Sequence, residues 1–174
     1  GTGSGGLPTS FTVTAINAAT GQSAGTCTVI SPATSCTVAG LTNGTAYNFS
    51  TVAENSSGVS AAIVTGPITP STVTGSPTSP SATVENGKAT VSFTAPTDNG
   101  GSAITSYTVT AYAPDGVSIA GTCTATAPAT SCQVTGLTNG TAYTYKVVAN
   151  NVNGGSAAST ASAAVTPATV PGAP

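Results

Sequence analysis

The chain has 174 residues, of which two are Lys or Arg, four are Asp or Glu, and none is His, Trp or Met. Charged residues make up 3% of it, against roughly a quarter in an ordinary soluble domain. The usual acid–base side chain and commonest metal ligand are missing, and two cations cannot neutralise a phosphate backbone, so nucleic acid is excluded as a partner.

Thr and Ser supply 35 and 21 residues, beside 29 Ala and 21 Gly. The apolar fraction, 39%, is built largely from Ala and Val, so the core is thin and suits a small β-sandwich better than a large α/β enzyme. A positive mean hydropathy and a small net charge argue against disorder. No run of 18 apolar residues offers a membrane span.

Along the chain the first regular pattern is Phe11-Thr-Val-Thr-Ala15, followed by Cys27 and Cys36. Residues 32–47 then read PATSCTVAGLTNGTAY, and residues 128–143 read PATSCQVTGLTNGTAY, differing only at Thr37/Gln133 and Ala39/Thr135. The match reaches back to Phe11–Ala15 against Tyr107–Ala111. After a one-residue slip it reaches forward to Ile68-Thr-Pro70 against Val165-Thr-Pro167. A unit of about 97 residues exceeds the roughly 20–50 residues of a solenoid repeat and has the size of a whole domain.

Four cysteines allow three disulfide connectivities. Cys27/Cys36 and Cys123/Cys132 share an eight-residue gap and lie 96 residues apart, so each pair belongs to its own repeat and the pairing follows as Cys27–Cys36 and Cys123–Cys132. Zinc is the other reading of paired cysteines, but structural zinc favours shorter C-x2-4-C spacing and often histidine. Disulfides imply an oxidising compartment, extracellular or at the cell surface.

In the second unit the period is two. Ala89, Val91 and Phe93 alternate with Thr90 and Ser92, Tyr107, Val109 and Ala111 with Thr108 and Thr110, and Tyr143, Tyr145, Val147 and Ala149 form a third series. Each reads as a strand with one buried face, its wet face carrying Thr, a strong strand former. Turn residues separate them at Pro96–Gly101, Pro114-Asp115-Gly116, Asn139-Gly140 and Asn150–Gly155. No stretch has a helical period with caps, so the expectation is an all-β, antiparallel sandwich.

These residues resemble the fibronectin type III domain family, in the form common in bacterial secreted proteins. Leu137-Thr-Asn-Gly-Thr-Ala-Tyr143 is similar to that family's turn before strand F, with Asn139-Gly140 where Pro-Gly is common, and Leu41, Asn43, Gly44 and Tyr47 repeat it. The resemblance makes Tyr143 and Tyr47 tyrosine corners, each hydroxyl tied back to the upstream backbone. Val91-Ser-Phe93 matches the strand-B position usually filled by Trp, and Asp98–Tyr107 matches the B–C loop and the start of strand C. On this pattern each cysteine pair falls near strands C′ and E, clipping the two sheets together at one edge.

The resemblance implies two tandem sandwiches: residues 1–70 with strands C to G only, a linker at 71–77, a complete domain at 78–167, and a linker at 168–174. Residues 1–77 match 97–174, whereas strands A and B at 78–96 have no counterpart before Gly1. Each copy holds two C-to-G portions and one A–B hairpin, so exchange between copies cannot complete both. The expectation is a window on a longer array. The alternative is an incomplete sandwich covered by an unrelated partner.

Candidate chemistry is sparse. The carboxylates Glu54, Glu85, Asp98 and Asp115 do not recur between units: Asn150, Thr2 and Ala19 stand opposite Glu54, Asp98 and Asp115. Asp98 and Asp115 sit in turns that favour Asp for local bonding, and no paired-carboxylate site is expected. A calcium site at Asp98-Asn99 has too few hard oxygens. Serine nucleophiles have no His base. Tyr112, on the opposite face from Tyr107, reads as a lone surface ring. The threonine row Thr122–Thr126 is similar to ice-binding surfaces, but sandwich strands twist and the row reads as a wet face. Sequons occur at Asn43, Asn48, Asn55 and Asn139; the first and last are explained by their turns. Lys88 and Lys146 both lie in the second unit, so an isopeptide staple common to both units is excluded.

The expectation is therefore a non-enzymatic structural or spacer module of a bacterial extracellular protein or fibre, without catalytic residues, cofactor or metal. Its partners are other copies or neighbouring repeats, as in a filament. Two alternatives stand beside it. One is an accessory array of a secreted polysaccharide-degrading enzyme; the other is an adhesin using its F–G loops, which differ between units (Asn55–Ser60 against Asn151–Ser156).

Overall fold

A computed structural model describes residues 6–169. The chain divides into two units, Gly1–Pro70 and Ser71–Pro174. The first holds β1 (Ser10–Asn17), β2 (Ser23–Ile30), β3 (Tyr47–Asn55), β4 (Gly58–Val59) and β5 (Ile63–Ile68). The second holds β6 (Thr78–Glu85), β7 (Lys88–Thr94), β8 (Ser106–Tyr112), β9 (Ile119–Thr126), β10 (Ser131–Thr135), β11 (Thr144–Asn151) and β12 (Gly154–Gly155). The described residues contain no helix, and all strand pairing is antiparallel.

The second unit is a two-sheet sandwich, with order β10-β7-β6 in one sheet and β12-β11-β8-β9 in the other. Period-two patterning places alternate side chains inward: Ala89, Val91 and Phe93 from β7 meet Tyr107, Val109 and Ala111 from β8 and Tyr145, Val147 and Ala149 from β11. Phe93 fills the strand-B position with its ring centroid 4.8 Å from that of Tyr107, tilted by 55°. Thr, Ser and Lys residues occupy most outward positions of β7, β8 and β11, with Tyr112, Val148 and Asn150 at the others.

Residues 71–77, expected as a linker, are instead docked on the second unit. The Thr72 N–H donates to the Gly100 carbonyl (2.8 Å) and the Gly75 N–H to that of Asp98 (2.9 Å). Asn151 and Asn153 both donate through Nδ2 to the Thr72 carbonyl, and Thr74 and Pro77 are buried. This close approach needs glycine at position 100, where φ is +69° and a Cβ would stand 2.3 Å from the Thr72 oxygen. Of the 168–174 segment expected as a second linker, residues 170–174 lie outside the described residues, as do Gly1 and Thr2.

The first unit is a single five-stranded sheet, order β2-β1-β3-β4, with β5 also on β3. The register of β2, β1 and β3 repeats that of β9, β8 and β11. Val13 stands opposite Cys27 and Thr51, as Val109 stands opposite Cys123 and Val147. Residues 33–42, equivalent to 129–138, form no strand, because a strand like β10 pairs only with a strand like β7, and none exists among the described residues of this unit. Among the described residues, thirteen hydrophobic side chains, with Pro77 and Pro167, are buried in the second unit, against Ala15 and Tyr47 in the first.

Candidate functional site

The recurring turn has the same geometry twice. The Tyr47 hydroxyl accepts from the Thr42 N–H at 3.1 Å, and the Tyr143 hydroxyl accepts from that of Thr138 at 3.1 Å. These backbone donors favour phenolate and hold both phenols below their ordinary value. Gly44 and Gly140 take φ of 80° and 81°, conformations that glycine adopts without strain, and their N–H groups donate to Pro70 and Pro167 at 2.9 Å. The turns differ in what they hold. Leu137 is buried, its N–H donating to the Gly87 carbonyl at 2.9 Å, whereas Leu41 is half-buried. Asn139 accepts from the Gly87 N–H at 2.9 Å and donates to Asn86 Oδ1 at 2.7 Å, gripping the turn between β6 and β7. Asn43 has no such turn to hold among the described residues.

Cys27 is joined to Cys36 and Cys123 to Cys132. In the second unit the bridge runs from β9 in one sheet to β10 in the other, across the sandwich edge. In the first unit it ties β2 to the irregular segment 33–42. Val38 nevertheless lies over Gly25 as Val134 lies over Gly121: a Cβ on either glycine would meet the valine Cγ1, at 3.1 and 2.9 Å. The segment is thus held where the second unit has a strand, without that strand's partner.

The acidic groups serve turns. Asp98 Oδ1 accepts from the Gly100 N–H, and Asp115 Oδ1 from those of Val117 and Ser118. The Ser118 hydroxyl, followed by these two amides, holds the Asp115 carboxyl below the usual carboxylate range. Glu85 pairs with Lys88 across the β6–β7 turn at 2.9 Å. Tyr112 is not a bare ring: Lys146 Nζ lies 5.4 Å from its centroid, a cation–π contact between neighbouring strands. Among the described residues no three His, Cys, Asp or Glu side chains converge as metal ligands.

A row of serines is the feature that strand periodicity does not disclose. After β12 the chain runs beside β11 with hardly any regular pairing. Ser156, Ser159 and Ser162 each accept through Oγ from the N–H of Ala149, Val147 and Tyr145, at 3.0–3.1 Å. Each serine N–H donates back to the carbonyl of the same residue, and each hydroxyl donates to the next carbonyl along the chain. The spacing of three matches neither a strand nor a helix. Among the described residues of the first unit only Ser60 repeats this arrangement, on Ala53; Ile63 then begins β5, which pairs with β3 with one register shift.

Among the described residues one face of the first sheet is uncovered. Phe11, Val13, Val29 and Thr51, with Cys36, line a depression of about 230 Å³. Register places Ile63 opposite Thr51 on the same side, and Ile63 is 69% exposed.

Two antiparallel sheets, an edge disulfide and a tyrosine corner define the second unit as an immunoglobulin-like β-sandwich module. The sequence profile of the Fibronectin type III domain matches residues 75–165, just over half the chain, and the chain belongs to that family. No curated protein matches it significantly. Among solved structures it is similar to domains A168–A170 of titin, with TM-score 0.56 and 24% identity over 73% of this chain and 42% of that one. It is also similar to a two-domain fibronectin type III segment of chicken tenascin, with TM-score 0.50 and 23% identity over 90% of this chain and 83% of that one. The FN1–FN3 domains of chicken CNTN1 match with TM-score 0.50 and 18% identity, over 91% of this chain and 55% of that one. The chain therefore spans about half the length, or less, of the titin and CNTN1 fragments. Fibronectin type III modules are typically structural or spacer parts of multidomain proteins, and two disulfides fit an extracellular one.

Proposed function

We propose that this chain is a non-catalytic spacer of a bacterial extracellular protein or fibre, built from tandem fibronectin type III-like repeats: residues 1–70 carry strands C to G of one repeat and 78–167 a complete one. Its partners are neighbouring repeats or further copies. The observation that carries this reading is what the two units share. Residues 32–47 and 128–143 agree at all but two positions, and the agreement includes the fold-makers: the cysteine, the Asn-Gly turn and the tyrosine corner. The charged residues do not recur. A weakly charged surface also lacks the long-range repulsion that keeps like chains apart.

The test is cell-surface display of the chain, with the F–G loops at 55–60 and 151–156 exchanged or replaced by Gly-Ser. A spacer keeps its reach from the surface and gains or loses no adhesion to polysaccharide or protein. Adhesion that disappears on loop replacement contradicts the spacer reading and favours an adhesin.

A further inference from the structure

We infer that Asn86 is a latent site of spontaneous deamidation, held inert by the side chain of Asn139. The inference rests on the second unit alone and is independent of the spacer reading.

Asparagine followed by glycine is prone to this chemistry, because glycine has no Cβ to screen its nitrogen. Once that nitrogen has given its proton to a base, it bonds to the asparagine Cγ, and the Nδ2 group takes up a proton and leaves as ammonia. Water then opens the cyclic imide at either carbonyl, giving Asp or isoaspartate. Water is the one co-reactant, and nothing is oxidised or reduced. A glycine N–H that donates to a fixed acceptor keeps its proton and is directed away from Cγ, so the reaction waits on that hydrogen bond.

The second unit contains Asn-Gly four times, at 86–87, 99–100, 139–140 and 153–154, and the glycines are held differently. Gly100 is buried, its N–H donating to Asp98 Oδ1 and its carbonyl accepting from the Thr72 N–H, both at 2.8 Å. The Gly140 N–H donates to the carbonyl of the buried Pro167 at 2.9 Å. Gly154 is paired with Asn151 in the β11–β12 ladder, and Asn153 Nδ2 donates to Ser71 Oγ and the Thr72 carbonyl.

Gly87 depends on a single exposed side chain. Its N–H donates to Asn139 Oδ1 at 2.9 Å, and Asn139 Nδ2 donates to Asn86 Oδ1 at 2.7 Å. One amide thus restrains both the nucleophile and the group it would attack. Asn86 and Asn139 are both exposed, so base and water reach the turn. The Leu137 N–H on the Gly87 carbonyl is a separate bond, from the backbone of a buried residue. It keeps the turn docked when the Asn139 side chain swings away.

Conversion alters the hairpin. Isoaspartate adds a main-chain methylene to the turn between β6 and β7. Either product also places a carboxylate beside Glu85, which pairs with Lys88 across that turn.

The experiment incubates the full chain in mildly alkaline buffer and follows each asparagine by peptide mapping with fragmentation, reading the conversion of amide to acid and the isoaspartate formed. Asn139→Ala is expected to raise the rate at Asn86 about tenfold, the factor that one lost hydrogen bond supports, with Asn99 and Asn153 unchanged. Asn139→Asp retains an acceptor for the Gly87 N–H and loses only the donor, so Asn86 stays near its wild-type rate. Asn99 and Asn153, read in the same samples, report any loosening of the unit as a whole. Three results overturn the proposal. An Asn86 rate indifferent to Asn139→Ala assigns the protection to the hairpin itself. Equal acceleration of Asn86, Asn99 and Asn153 assigns it to the fold at large. Asn139→Asp as fast as Asn139→Ala removes the Gly87 N–H from the account.

Discussion

Tyr145 is fully buried, and its hydroxyl has no hydrogen-bond partner among the described residues. An orphaned buried hydroxyl costs about 1–3 kcal/mol, so Tyr145→Phe is expected to raise the stability of the second unit by about 1 kcal/mol in urea titrations at neutral pH. Burial, with Tyr143 adding to it, pushes the Tyr145 phenol above its ordinary value. A value raised by folding means stability that is complete below the unfolded pKa, about 10, and lost as pH rises through the folded one. The wild type should therefore lose more stability than Tyr145→Phe between pH 9 and about pH 11, and parallel losses would show that the phenol does not titrate with unfolding. The inward position of Tyr145 is legible from its alternation with Tyr143 and Val147. Its missing partner is not, because a tyrosine and a phenylalanine write the same strand pattern.

Two devices at the scale of elements replace what charges and long side chains supply elsewhere. The first is the serine row on β11. Ser159→Ala leaves the buried Val147 N–H without its acceptor and is expected to cost about 1–3 kcal/mol, read by chemical denaturation. A cost no larger than that of Ser118→Ala on an exposed turn would mean the row is incidental. This edge was illegible in sequence, since Ser156, Ser159 and Ser162 among alanines look like a polar loop and their spacing of three fits no regular ladder. The second device is the disulfide. A loop of about ten residues contributes roughly 2.5–3 kcal/mol in the chain-entropy model. Replacing Cys123 and Cys132 together by Ala should lower the second unit's stability by about that amount. Here the repeat made the pairing readable, because two identical gaps 96 residues apart select one connectivity.

Among the described residues one unit is a closed sandwich and the other an open sheet, written in nearly the same residues. Alignment sets residues 1–77 against 97–174, and among the described residues of the first unit Ala15 and Tyr47 are the buried hydrophobic side chains. The boundary between the units was less visible. Ser71-Thr-Val-Thr-Gly-Ser-Pro77 has the composition of a linker, and only the approach to Gly100 and the amides of Asn151 and Asn153 shows that it belongs to the second unit. The difference in closure predicts a difference in local stability, since protection from exchange follows buried apolar contact. Residue-resolved hydrogen exchange on the full chain tests this most directly. β8 and β11 should exchange only by global unfolding of the second unit, while their equivalents β1 and β3 exchange faster by orders of magnitude. Equal protection in β1, β3, β8 and β11 would contradict the account.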